Sequence, residues 1–129
     1  MTVFMLDGKT YNVTVPAGGI KRSGRVTDGE NVGRTISGLM IRDIIGTYYN
    51  YSISVDTRQT SLADYDELYE TITAPVDSHV LKVPYGQGYM EFEAYITSAD
   101  DTLEIMSEDG NRWKGLTISF IAMEPQRRP

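Results

Sequence analysis

Cysteine is absent from the 129 residues, and histidine and tryptophan occur once each. Without cysteine there is no disulfide framework, no thiolate nucleophile and no zinc site built on sulfur. His79 stands alone, so a Ser-His-Asp arrangement would have no other base, and no second His or Cys completes a transition-metal site. On an expected strand it reads as a structural or surface residue. Long apolar runs are missing too: no stretch approaches the roughly 20 residues that span a bilayer. Met1 to Leu6 is short and lacks the basic flank of a signal peptide, and Asp7 follows at once. The expectation is a soluble protein made in the cytoplasm. No phosphate loop is spelled either, because Gly86-Gln87-Gly88 joins two strands instead of opening a helix.

What is present favours strands. Apolar residues make up 40%, and nine tyrosines outnumber three phenylalanines. Aromatic and β-branched side chains suit a pleated, half-buried surface. The length fits one domain that folds without covalent staples. Charge divides unevenly: residues 1–60 carry a net +2 and residues 61–129 a net −8, which together make the −6 of the chain. A pI near 4.7 argues against a nucleic-acid partner, which needs a concentrated basic surface. The split is ordinary solubility or a sign that unlike faces of neighbouring subunits attract.

Along the chain, Val3 to Leu6 and Lys9 to Val15 flank Asp7-Gly8, a type I′ hairpin signal. Ile20 to Thr27 is a third candidate strand, weakened by Gly24. Asp28 to Gly38 reads as a long polar loop. Leu39 to Ile45 is an apolar run that periodicity does not assign to helix or strand. Thr47 to Val55 alternates cleanly, with Tyr49, Tyr51, Ile53 and Val55 on one face. Leu62, Tyr65, Leu68, Tyr69 and Ile72 recur at helical spacing behind a partial capping box at Ser61, and Pro75 ends the helix, predicted over 61–73. Strands follow at Ser78–Val83, Gly88–Thr97, Thr102–Met106 and Trp113–Met123, with turns at 98–101 and 108–111. The fold class is mainly β: an antiparallel sandwich or barrel of about eight strands with one flanking helix. Residues 1–124 form one domain, and 125–129 a frayed polar tail.

Carboxylates are plentiful, but Asp66 and Glu70 read as the solvated side of the helix. Asp100, Asp101, Glu104, Glu108 and Asp109 flank one hairpin without the spacing of an EF-hand. No catalytic residue, cofactor or metal ligand is assigned, and the expectation is a protein that is not an enzyme. The tyrosines of 48–51 offer core packing for Tyr49 and Tyr51 and a surface role for Tyr48.

The stretch Arg42-Asp43-Ile44-Ile45-Gly46-Thr47-Tyr48-Tyr49-Asn50-Tyr51 carries a resemblance. It is joined by Tyr65-Asp66-Glu67-Leu68-Tyr69, Ala74-Pro75-Val76-Asp77-Ser78-His79, Pro84-Tyr85-Gly86 and the closing Trp113 to Met123. Over most of residues 20–129 the chain resembles small prophage proteins of Gram-positive gut bacteria, similar in outline to phage tail and baseplate components. The resemblance implies a non-catalytic virion structural protein. Its partners would be copies of itself, as in a ring-type homo-oligomer, or other tail proteins, with no nucleic acid and no membrane. It would reside in the host bacterial cytoplasm during assembly, then in the virion tail. The interaction residues expected are Arg34, Leu39, Met40, Ile41, Arg42 and Tyr48. Leu39 to Ile45 either completes the protein's own core or meets a neighbour. The alternative function is a monomeric carbohydrate- or peptide-binding module using a tyrosine-rich face.

Overall fold

A computed structural model of the chain describes residues 4–11, 13–29, 33–56 and 61–129. The elements run β1 (Met5–Leu6), β2 (Ile20–Asp28), β3 (Gly33–Arg34), β4 (Met40–Ile41), β5 (Ile44–Val55), α1 (Leu62–Ile72), β6 (His79–Tyr85), β7 (Gly88–Ser107) and β8 (Gly110–Ala122). The protein is mainly β with one helix, as the residue pattern predicts. Every pairing is antiparallel. Among the described residues the ladders do not by themselves trace the expected sandwich or barrel of eight strands. Six form one sheet in the order β1-β6-β7-β8-β5-β2, and β3 and β4 form a separate ribbon.

That sheet is strongly curled. Three strand steps separate β6 from β5, which would put them about 14 Å apart in a flat sheet. Yet the Tyr51 hydroxyl on β5 donates to the Pro84 carbonyl on β6 at 2.9 Å. The rings of Tyr49 and Tyr85 meet edge to face, with centroids 5.2 Å apart. Register shifts in β7 at Ile96/Ser98, Asp100/Thr102 and Leu103/Ile105 supply part of the bend, since each bulge increases local twist. These bulges also explain why the turn expected at 98–101 is absent: the chain stays extended through one 20-residue strand.

The concave face carries the core. Val55, Ile53 and Tyr51 of β5 lie opposite Leu116, Ile118 and Phe120 of β8, and all six are buried. α1 covers this face with Tyr65, Leu68 and Ile72. Tyrosine hydroxyls tie the helix down: Tyr65 donates to Asp101, Tyr69 to the Ala99 carbonyl at 3.2 Å, and Tyr11 to Thr71 at 3.1 Å. Ser61 makes no side-chain hydrogen bond to the helix, so the capping box does not form and packing holds the helix in place.

The Asp7-Gly8 turn is type I′ as read, with φ of 53° and 78° and paired Leu6 and Lys9 backbones. The second strand expected after it is not formed. Past Lys9 the described chain leaves the sheet and sends Tyr11 into the core. Val3 and Asn12 of that expected hairpin lie outside the described residues.

Candidate assembly surface

β5 extends well past the sheet. Its Tyr51–Val55 end pairs with β8, whereas its first half pairs with β2 alone, from Ile44 opposite Asp28 to Asn50 opposite Ser23. Pro125 to Arg127 takes over where β8 ends. Thr47 N–H donates to the Arg127 carbonyl at 2.8 Å. The Gln126 side chain completes the mimicry of a strand: its Oε1 accepts from Tyr49 N–H at 2.9 Å and its Nε2 donates to Tyr49 O at 3.0 Å. The tail is therefore strapped to β5 rather than frayed. Gly46 makes the approach possible. It has φ 155°, and a Cβ there would meet the Arg127 carbonyl oxygen and lie 2.8 Å from Pro125 Cβ.

Beyond Gly46, the described residues 28–29 and 33–45 form an arm. The long loop expected here is largely hairpin: β3 and β4 pair Gly33 with Ile41 and Arg34 with Met40. A Thr35–Leu39 turn closes it, with Gly38 at φ 88° and the Thr35 hydroxyl accepting from Leu39 N–H at 3.1 Å. Sequence reasoning missed the ribbon because its strands are two residues each, too short for any period to register. Residues 30–32 of the expected loop lie outside the described residues.

The arm brings Leu39, Met40, Ile41 and Arg42 together. The three apolar residues are 65%, 44% and 50% exposed, so they are not part of the buried core. Ile44 and Ile45, read in the sequence only as the end of the apolar run, are also exposed, as is Val26 on β2 opposite Thr47. Tyr48 lies outside this group, opposite Arg25 in the ladder and half-buried. The Arg34 side chain lies outside the described residues. Arg42 is paired within the arm. Its guanidinium makes a bidentate pair with Asp28 at 3.0 and 3.1 Å, so a carboxylate of its own arm, rather than a neighbour's, satisfies it.

His79 is buried, with Nδ1 2.7 Å from Asp7 Oδ2, while Asp7 Oδ1 accepts from Val80 N–H at 2.8 Å. Burial pushes the Asp7 carboxyl up, but the hydrogen bonds from His79 and Val80 outweigh it and hold it below its usual value. The pair closes the start of β6 onto the Asp7 turn, as a structural histidine would. Tyr49 and Tyr85 share a hydroxyl hydrogen bond of 3.2 Å, and Arg22 sits over the Tyr85 ring at 5.4 Å. Among the described residues no three acidic or histidine groups gather to hold a metal ion, and no helix is long and apolar enough to cross a membrane. Compared with models of known protein families the chain matches none, and no curated protein matches it.

Proposed function

We propose that the chain is a non-catalytic assembly subunit, a virion structural protein of the phage tail or baseplate kind. It joins copies of itself or other tail proteins through the arm of residues 28–45. The observation that supports this reading most directly is the exposure of Leu39, Met40 and Ile41 at the end of a projecting hairpin. Apolar residues grouped in this way mark an interaction site more often than a free surface. The core beneath the sheet is already filled by α1, β5, β6 and β8, so the arm has no vacancy of its own to complete. A net charge of −6 suits protein partners better than nucleic acid. Assembly would take place in the host cytoplasm, and the product would reside in the virion tail. The tyrosine-face alternative is less well supported. Tyr51 is buried and Tyr49 packs against the core, so of the three tyrosines of residues 48–51 half-buried Tyr48 alone remains for it.

The test is molar mass by light scattering across a concentration series, for the natural chain and for Leu39→Ser combined with Ile41→Ser. The mass of the natural chain should rise with concentration. The variant should stay monomeric with an unchanged thermal transition, because the replaced side chains are exposed. A monomer at every concentration for both chains, with no binding to tail proteins, would remove the reading. Unfolding of the variant would return the segment to the protein's own core.

A further inference from the structure

β2 carries an arginine on the side of the sheet where the core lies. Arg22 stands opposite Tyr51 in the β2–β5 ladder, and residues directly opposite share a face; Tyr51 is buried there. Because the sheet is curled, Arg22 also reaches the end of β6, where its guanidinium sits over the Tyr85 ring at 5.4 Å. Between β2 and the β6–β7 turn lies a cavity of about 360 Å³, walled by Ile20, Arg22, Tyr51, Pro84, Gly86 and Gln87. That volume falls in the range of small-molecule sites.

Tyr85 lies between two residues of that wall, and its hydroxyl donates to the Tyr49 hydroxyl at 3.2 Å. The Arg127 side chain, from the C-terminal strap, donates to the same oxygen. With both lone pairs of Tyr49 engaged, its own O–H is left to donate, and no acceptor for it is present among the described residues. The hydrogen bonds from Tyr85 and Arg127 hold the Tyr49 phenol below its usual value, which makes it a stronger donor. Neither Arg22 nor Arg127 has a carboxylate partner among the described residues, in contrast to Arg42. An inward charge on an edge strand blunts edge pairing, but that role does not gather a second guanidinium and an unaccepted hydroxyl at one place. We propose that this seam binds the carboxylate of a small organic acid. The carboxylate oxygens accept from the Tyr49 hydroxyl and the two guanidiniums, whose forks match that group, and the body of the acid lies in the cavity against Ile20 and Pro84. A monoanion suits the seam better than a dianion, because the chain as a whole carries −6 and repels each added negative charge.

The experiment titrates benzoate, acetate and phenyl phosphate into the natural chain in dilute solution, followed by NMR. Benzoate should bind saturably and shift the resonances of Arg22, Tyr85 and Gln87. It should also move the ultraviolet titration of Tyr49, read as the difference between the natural chain and Tyr49→Phe, to higher pH, since a neighbouring anion disfavours the phenolate. Arg22→Gln, Arg127→Gln and Tyr49→Phe should each weaken benzoate more than about tenfold, with the thermal transition retained. Arg22→Lys, which keeps the charge but not the fork, should not restore full affinity. No saturable binding, or binding that survives all three substitutions in folded protein, would overturn the proposal. Acetate bound as tightly as benzoate would overturn the part given to the cavity, and phenyl phosphate bound more tightly would overturn the choice of a carboxylate. None of these outcomes depends on association through the arm, so the site and the assembly reading stand or fall separately.

Discussion

Gly46 and Gly24 sit on the paired strands β5 and β2, and they answer different demands. At Gly46, positive φ and the close approach of Pro125 and Arg127 leave no room for a side chain. At Gly24, a Cβ would lie 3.5 Å from the Tyr49 ring, an ordinary contact. Gly46→Ala should therefore cost about 1–3 kcal/mol, the usual range for a forced backbone geometry, and should release the tail. Gly24→Ala should change stability by less than about 1 kcal/mol. Urea denaturation checks the energies, and hydrogen exchange at Thr47 N–H checks the strap. Equal effects of the two substitutions would mean that the tail does not constrain β5. The tyrosines show a further use of single residues. Tyr51, Tyr65 and Tyr69 turn their rings to the core and place their hydroxyls on the Pro84 carbonyl, Asp101 and the Ala99 carbonyl, which turns an aromatic-rich composition into struts between elements.

At the scale of elements, α1 rests on packing. Leu68 is fully buried, so Leu68→Ala should destabilise by about 2–5 kcal/mol. Asp66 is exposed, and Asp66→Ala should remain within about 0.5 kcal/mol. Denaturation midpoints that coincide would place the helix face wrongly. This helix was legible because its five apolar residues repeat at one spacing, and β5 because Tyr49 to Val55 alternates. The inward tyrosines follow from the same alternation. Other features were hidden for physical reasons. β7 reads as two strands because bulges at Ile96, Asp100 and Leu103 break the period at Ser98–Asp101. The strap at Pro125–Arg127 depends on a Gln126 amide standing in for backbone, which composition does not encode. The pairing of Arg42 with Asp28 arises from a hairpin register that short strands do not announce.

Among the described residues the molecule is a curled sheet that closes its concave side with one helix and leaves the β3–β4 hairpin projecting. The long strands β2, β5, β6 and β8 were legible in the sequence, but the β3–β4 ribbon, the continuity of β7 and the curl were not. The curl depends on contacts between β5 and β6, which lie on either side of two other strands. The candidate site was legible as an apolar run whose burial was open, and the exposure of Leu39 to Ile41 favours a neighbour over the core. Hydrogen exchange of the natural chain, followed from dilute to concentrated solution, tests that claim most directly. Exchange should slow with concentration at residues 39–45 and stay constant across the buried β5–β8 ladder from Tyr51 to Val55. Exchange at 39–45 that is already as slow in dilute solution as in the ladder, or that does not change with concentration, would contradict an arm held ready for a partner copy.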